Sequence, residues 1–205
     1  MIEFDTRLFY WINGHHCALL DHVLWVASQG WSWIIVIILA FCIGTLRHEP
    51  RKWWLVLAGI GLCFLLSDRI SVLCFKEVVC RLRPCHALDN VRMYQTTCGG
   101  LYGFVSSHAA NVFSLAIFLS LRHNQAVWRR GLQRGWWRKN AFAIALFAWA
   151  IIVGYSRPYL GKHYPGDVVC GALLGLGLGA LAYFLIGKLE AWLDKRAEEK
   201  KQQTV

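Results

Sequence analysis

Long runs of apolar residues, interrupted by short polar segments, dominate this chain of 205 residues. A helix needs about 20 mostly apolar residues to cross the roughly 30 Å hydrocarbon layer of a membrane. Four runs come near that length or exceed it, and each predicts a membrane-spanning helix: residues 53–75, 104–121, 141–155 and 168–186. Because unpaired backbone groups cannot face lipid, the pattern predicts an all-α polytopic membrane bundle.

A fifth span is predicted at residues 31–46, which would form a helix of about 24 Å. The weaker apolar segment 18–28 is long enough to extend it, and we predict five spans, with six as the alternative. Before it, Asp5, Arg7 and Asn13 are mixed with aromatic residues, which predicts an interfacial amphipathic helix in residues 1–30. That segment lacks a basic start followed by a clean apolar core, so we expect no cleaved signal peptide.

Basic residues are distributed unevenly between the two sides of the predicted bundle. Fourteen of the 22 Lys and Arg residues fall in segments 47–52, 122–139 and 188–201, which alternating spans place on one side. By the positive-inside rule this side is cytoplasmic. Segments 81–103 and 156–165 then face outward, and the net charge of +10 reflects membrane topology rather than nucleic-acid binding.

The chain is expected to form a single domain of residues 1–205, because no repeat, low-complexity linker or second domain is evident. Residues 188–205 form a charged tail, for which we predict a cytoplasmic helix that frays. In the last span, Gly171, Gly175 and Gly179 recur every four residues. No strand precedes these glycines and no Lys-Ser or Lys-Thr follows them, so close helix packing explains them better than a nucleotide-binding loop.

The eight cysteines do not indicate a metal site, since no paired C-x-x-C spacing occurs among them. Four of them lie within predicted spans, where a thiol behaves as a small apolar group. Cys85 and Cys98 share the outward-facing segment 81–103. An oxidising compartment on that side would permit a disulfide between them.

Polar residues suited to binding phosphate lie where three outward-facing segments meet the spans. In the first segment, Lys76 and Arg83 are seven residues apart, which in a helix is two turns on nearly one face. Pro84 then ends that helix. Both cations are therefore expected to point into one site from a single helix.

The second segment is the start of the 104–121 span, where Ser106, Ser107 and His108 follow a loop that contains glycines. The free N–H groups of a helix start bind anions. Ser106 taken alone is most simply the residue that caps this helix.

The third segment bridges the last two spans and contains Ser156, Arg157, His163 and Asp167. An Asp in this position can hold an imidazole in one tautomer and raise its basicity. The three segments together supply three fixed cations, a helix start, two histidines and one carboxylate. Phosphoryl transfer needs such donors, a nucleophile and a proton source for the leaving oxygen.

Other polar residues of the outward segments carry a weaker signal. They suit contacts to a lipid headgroup or a second phosphate, but ordinary solvated loop residues would look the same. These residues are Arg81, His86, Arg92 and Lys162.

Three dispersed motifs share their order, their spacing and their placement at span ends with a known family. The motifs are Lys76-x6-Arg83-Pro84, Ser106-x-His108 and Ser156-Arg157-x5-His163-x3-Asp167. Over about residues 76–167 the chain thereby resembles the type 2 phosphatidic acid phosphatase superfamily. The resemblance implies a membrane lipid phosphatase with a fold like that of the acid phosphatases and vanadium haloperoxidases.

The resemblance also implies a role for each residue of the motifs. His163 would be the nucleophile that forms a transient phosphohistidine, and Asp167 its orienting partner. His108 would protonate the departing oxygen and later help to activate water. No metal or other cofactor is implied. The phosphoryl oxygens would be held by Lys76, Arg83, Ser106, Ser107 and Arg157.

The middle motif departs from the family pattern. Members usually have Pro-Ser-Gly-His, whereas this chain has Val105, Ser106, Ser107 and His108. Loss of the proline removes a preset helix start, and Ser in place of Gly adds a side chain beside the phosphate. Since the N–H of Ser107 can still donate, we expect activity, with an altered rate and headgroup fit.

The resemblance and the charge pattern together predict an enzyme that removes phosphate from a lipid on the periplasmic or exterior face of a bacterial inner membrane. Undecaprenyl diphosphate is the substrate we expect first, with phosphatidylglycerol phosphate, phosphatidic acid and lipid A phosphates as alternatives. A non-catalytic lipid-phosphate binder or flippase is the rival hypothesis outside enzymes. A zinc site built from His108, His163 and Asp167 is the rival chemistry.

Overall fold

The computed structural model describes residues 2–46, 50–131 and 136–203, and of residues 2 and 136–139 it describes the backbone alone. Within this part of the chain the fold is all-α, as predicted, and an isolated pairing of Leu82 with Tyr102 is its sole β-type contact. The helices are α1 Ile2–Gly14, α2 Ala18–Ser28, α3 Gly30–Phe41, α4 Trp53–Ile70, α5 Glu77–Val79, α6 Pro84–Ala87, α7 Ser107–Arg129, α8 Trp136–Tyr159 and α9 Pro165–Gln203.

Several helical stretches have the length and the apolar composition of membrane spans. Among the described residues these are Pro50–Val79, Asn140–Tyr159 and Pro165–Gln203. A fourth candidate combines α2 with Gly30–Leu46, bent by 69° between its halves. Segment 18–28 therefore does not extend the next span in a straight line, because the backbone of Gln29 is extended (φ −81°, ψ 137°) and breaks the helix.

The central helix of the bundle is α7, which packs against α4, α8 and α9. Val112, Leu115 and Phe118 of α7 are fully buried. With 23 residues α7 is about 35 Å long, but its polar residues exclude it from the candidates chosen by hydropathy. A helix enclosed by its neighbours need not be apolar all round. With α7 and the bent pair included, five elements of the described chain have the length of a span, and the number of spans itself stays a prediction.

Helix α9 approaches α7 closely along its glycines. A Cβ atom on Gly175 would lie 2.3 Å from the carbonyl oxygen of Ala110, a distance that no methyl group tolerates. Gly171 and Gly179 approach the backbone of α7 in the same way. The predicted packing of small residues is confirmed.

The amino-terminal helix α1 is amphipathic, as predicted for an interfacial helix. Phe9, Ile12 and Asn13 are buried, whereas Phe4 and Trp11 are exposed. The buried face packs against α8 and α9. The prediction grouped residues 1–30 into one interfacial segment, but α2 belongs to the bent pair that qualifies as a span.

At the end of the bundle remote from Lys76, the buried carboxylate of Glu190 accepts hydrogen bonds from Lys52, Arg122 and Arg129. These contacts fix the beginning of the predicted tail, which continues α9 as one helix through Gln203. Residues 47–49, 132–135 and 204–205, which include parts of the predicted basic segments, lie outside the described residues.

Candidate active site

Three of the predicted site cations meet around His163. Nη1 of Arg83 lies 2.8 Å from Nε2 of His163. Arg157 is 2% exposed, and its Nε atom has no hydrogen-bond partner in the described part of the chain. The charges of Arg83, Arg157 and Lys76 all act on the imidazole of His163. Groups from the first and the third segment therefore converge at His163, as the motif spacing predicted.

The path from Lys76 to Arg83 differs from the prediction of a single helix. α4 continues through a π-helical turn, Ser71–Lys76, into α5, and Cys80 then adopts a left-handed conformation (φ 52°) that ends the helix. The next residues are extended, and the N–H of Arg83 donates to the carbonyl of Leu101. The prediction of two helical turns on one face is wrong, because the backbone changes direction at Cys80. Arg83 reaches the site from the outer loop instead.

His163 lies in the connection between α8 and α9 and is 1% exposed. Burial disfavours the charged form, and Arg83, Arg157 and Lys76 repel an added proton, so the pKa of His163 is well below its usual 6.5. An arginine has only donors, so Nε2 accepts from Arg83 and the ring proton resides on Nδ1. The ring is therefore neutral, with a lone pair on Nε2 facing the cations.

Asp167 lies behind the ring, on the side of Nδ1. Its Oδ2 atom is 3.6 Å from Nδ1 of His163, just beyond hydrogen-bond distance, and accepts from the N–H of Tyr164 at 3.0 Å. Its Oδ1 atom accepts from Nη1 of Arg81 at 2.8 Å. The carboxylate can thus stabilise positive charge that develops on the ring, and Arg81 fixes its orientation.

The carboxylate of Asp167 has a support that sequence reasoning missed. Arg81 also donates through Nη2 to Asp5 of α1 at 2.7 Å, and its guanidinium lies 3.8 Å from the ring centre of Tyr164. The other oxygen of Asp5 accepts from the N–H of Gly166 at 2.7 Å. Asp5 precedes the buried Phe9 by one helical turn, and this spacing was the available signal that Asp5 faces inward.

The serines of the middle motif have different partners. The Oγ atom of Ser106 accepts from the N–H of Ala109 at 3.4 Å, so the capping role is confirmed and the phosphate-binding role stays a prediction. The Oγ atom of Ser107 lies 2.8 Å from both Nζ of Lys76 and Oγ of Ser71. The side chain that replaces the family glycine is therefore bonded to a predicted phosphate-binding cation.

His108 lines a cavity of about 590 Å³ together with Arg157 and Lys162. Its ring is nearly perpendicular to that of Trp33 (78°), with 5.1 Å between ring centres. Lys162, treated in the sequence as a weaker candidate, is half-buried, and its pKa is lowered to about 8 by burial and by the charges of Arg157 and Arg83. The cavity gives the predicted acid–base residue His108 and the cations Arg157 and Lys162 a common space.

The outer loop that carries Arg83 is held by covalent and polar contacts. Cys85 and Cys98 are joined by a disulfide, the pairing that the sequence permitted. Nε of Arg83 donates to the carbonyl of Gly100 at 2.6 Å. These contacts hold the guanidinium of Arg83 in place beside His163.

Among the described residues, Cys85, His86 and Cys98 are the group whose ligand atoms lie close enough to share a metal ion. Two of these residues are joined in the disulfide. The trio proposed for zinc, His108, His163 and Asp167, does not form such a group.

Comparison with known proteins identifies the family. The sequence model of the PAP2 superfamily matches residues 51–190, which include all three motifs. The chain belongs to the PAP2 superfamily. The solved PAP2-type phosphatidylglycerolphosphate phosphatase from Bacillus subtilis shares the fold, with a TM-score of 0.62, 21% identity and coverage of 92% of this chain and 85% of that one.

Curated PAP2 relatives are similar over most of the chain. A lipid A 4'-phosphatase from Bacteroides thetaiotaomicron is 32% identical, covering 95% of this chain and 84% of its own. A lipid A 4'-phosphatase from Porphyromonas gingivalis is 31% identical, and the match covers 89% of this chain and 73% of that protein. An undecaprenyl-diphosphatase from Sulfolobus acidocaldarius is 25% identical, covering 88% and 78%. As a PAP2 member with these relatives, the protein is a phosphatase of membrane lipids and an integral membrane protein.

Proposed function

We propose that the protein removes the phosphate monoester of a lipid A-type glycolipid on the extracytoplasmic face of the inner membrane, with His163 as nucleophile. The observation that carries the proposal is the pairing of a neutral, buried imidazole with one buried and one half-buried arginine, Arg157 and Arg83. The Nε atom of Arg157 has no hydrogen-bond partner within the described residues, and Arg83 meets the lone pair of Nε2 of His163. In the described part of the chain neither arginine forms an ion pair with a carboxylate, and cations in this state suit a phosphoryl group.

The reaction proceeds in two displacements. In the first, Nε2 of His163 attacks phosphorus, the bond to the lipid oxygen breaks, and His108 gives its proton to that oxygen. In the second, His108 takes a proton from water, the oxygen of that water attacks phosphorus, and the phosphorus–nitrogen bond breaks to release inorganic phosphate. Arg83, Arg157 and Lys76 neutralise the phosphoryl oxygens throughout, and Asp167 stabilises the imidazolium of the intermediate.

The relatives favour lipid A over undecaprenyl diphosphate, which the sequence alone placed first. The two lipid A 4'-phosphatases are 31% and 32% identical, against 25% for the undecaprenyl-diphosphatase. Undecaprenyl diphosphate stays the second candidate, supported by that relative. Phosphatidylglycerol phosphate and phosphatidic acid are further candidates within the family.

The proposed orientation follows from the charges of the two ends. The end that contains Lys52, Arg122 and Arg129 belongs to the segments with most of the basic residues, which stay in the cytoplasm. His163 and the cations around it lie at the other end, which supports a site that faces the periplasm.

Phosphate release from reconstituted protein tests the proposal. Proteoliposomes with lipid A, undecaprenyl diphosphate, phosphatidylglycerol phosphate or phosphatidic acid are assayed in the presence of chelator. We expect release from lipid A by the wild type and by Lys195→Ala, an exposed charge change on the distal part of α9. We expect none from His163→Ala. Equal, negligible release by all three proteins from every lipid would favour a non-catalytic binder.

A further inference from the structure

The cavity beside His108 extends beyond the phosphate-binding residues. Its inner end is formed by His108, Arg157 and Lys162. With a volume of about 590 Å³ it lies in the range of pockets that bind drug-sized ligands. A phosphate group alone would leave most of this space empty. The cavity therefore has room for the part of the substrate that carries the phosphate.

The remaining wall of the cavity is polar but uncharged. It comes from two segments, the break between α2 and α3 and the outer loop near its second cysteine. Their side chains offer two amides, three hydroxyls and one indole. The residues are Trp25, Ser28, Gln29, Gly30, Gln95, Thr96 and Thr97.

This wall distinguishes between chemical classes of headgroup. A second phosphate would need further cations, and the wall beyond Arg157 and Lys162 supplies none. Ser28 and Thr96 donate to backbone carbonyls, and Nε2 of Gln95 donates to Tyr94. Acyl or prenyl chains would displace water from the remaining polar groups, such as the hydroxyl of Thr97, without replacing its hydrogen bonds. A sugar ring carries hydroxyls that can pair with these groups, and it has apolar faces that can lie against an indole such as that of Trp25.

The two segments of the wall are held in place before any substrate binds. Nε1 of Trp25 donates to the carbonyl of Gln95 at 3.0 Å, which joins one segment to the other. Arg92 of the outer loop forms two hydrogen bonds to Asp21 of α2, at 2.9 and 2.6 Å. Arg92 is therefore engaged with a carboxylate of the chain. A preformed wall of this kind lowers the entropic cost of binding.

We infer that this cavity is a subsite for the neutral sugar ring that bears the scissile phosphate, with Gln29, Gln95 and Thr97 as specificity-determining residues. The inference rests on the proposed function. It adds to that function the side chains that contact the headgroup of the substrate. Substrates that carry the phosphate on a sugar gain binding energy from contacts in the subsite. Lipid phosphates without a sugar do not fill the subsite, which then contains water.

Kinetic comparison of two substrates tests the subsite in the full-length protein. Thr97→Val removes a hydroxyl at nearly constant shape, and Gln95→Ala alters an exposed loop position, so both variants should fold. Each should lower kcat/KM for lipid A about tenfold, the effect of roughly 1.4 kcal/mol, and leave kcat/KM for phosphatidic acid unchanged. Gln202→Ala, which removes an exposed amide at the far end of α9, should change neither. Equal losses on both lipids, or no loss on lipid A, would overturn the inference.

A binding measurement separates failure of the subsite from failure of the proposed function. His163→Ala protein is titrated with glucosamine 4-phosphate and with glycerol 3-phosphate, so no turnover is required. The subsite predicts tighter binding of the sugar phosphate, and loss of that preference when Thr97→Val is added. If both probes bind equally, the subsite is refuted, whether or not the wild type releases phosphate from lipid A.

Discussion

The guanidinium of Arg83 lies 2.8 Å from Nε2 of His163, although 80 residues separate them in the chain. Because arginine can only donate, this contact assigns the lone pair of the ring to the nitrogen that faces the cations. A phosphoryl group that enters between them would meet a donor for its oxygens and a nucleophile for its phosphorus. The contact therefore positions both partners of the first displacement.

Activity should decline as the pH rises through about 8, because Lys162 then loses its charge. Burial, together with the charges of Arg157 and Arg83, lowers the pKa of Lys162 from 10.5 to about 8. The side chain is cationic below that pH and neutral above it, so it attracts an anion only on the acid side. A plot of log kcat/KM against pH should bend downward near 8, and Lys162→Arg should remove the bend. An identical alkaline limb in Lys162→Arg would contradict this role.

Replacement of Arg81 by Gln should lower kcat about tenfold and leave KM nearly unchanged, because Arg81 holds Asp167 behind the nucleophile instead of contacting substrate. Arg81→Lys keeps one charge and should recover part of the rate. Asp5→Asn weakens the contact of Arg81 with Asp5 but keeps its contact with Asp167, so it should lower kcat less than Arg81→Gln does. Steady-state kinetics measure the effects, with thermal unfolding in parallel. A rise in KM with kcat unchanged would instead place Arg81 at the substrate.

Ser107→Gly should keep kcat/KM within about fivefold of the wild type, because Nζ of Lys76 can donate to the phosphoryl group in place of the lost hydroxyl, which offsets the loss of a charged hydrogen bond. The substitution restores the residue usual in the family, and the backbone N–H at position 107 is retained. It also releases Nζ of Lys76 from the hydroxyl at 2.8 Å. Phosphate release from lipid A checks the expectation. A loss of more than a hundredfold would show that the hydroxyl itself takes part in catalysis.

Gly175→Ala should destabilise the protein by about 2 kcal/mol, although alanine favours helices over glycine. The added methyl would lie 2.3 Å from the carbonyl oxygen of Ala110 and force α9 away from α7. Gly177→Ala is the matched control, since nothing lies within 4 Å of a Cβ atom there. Thermal unfolding in detergent should show a lower Tm for Gly175→Ala alone. Equal Tm values for the two variants would contradict the packing account.

The helices and the convergence of the motifs could be predicted because their signals are local. Apolar runs 53–75 and 168–186 correspond to α4 with its π-helical continuation and to the core of α9. The polar residue Gln29 separates segments 18–28 and 31–46 in the sequence, but no proline there predicts the bend of 69° between the two helices. The turn at Cys80 was missed for a similar reason, since a left-handed cysteine follows no composition rule.

The network behind His163 could not be predicted because its partners are distant in sequence. Arg81 lies 76 residues from Asp5 and 86 from Asp167, and tertiary packing alone brings the three together. The sequence could name Cys85 and Cys98 as a possible disulfide but could not show that it forms, because their spacing permits the bond without requiring it. The uncharged cavity wall has no motif, since amides and hydroxyls occur in any loop.

Recovery of a phosphorylated imidazole tests the central claim most directly. Reconstituted protein is mixed with lipid A that carries radiolabelled phosphate, quenched in alkaline detergent to preserve phosphohistidine, digested and mapped by mass spectrometry. The account predicts transient label on the peptide that contains His163, and no label in His163→Ala. Label on another residue, or phosphate release by His163→Ala at the rate of the wild type, would contradict it.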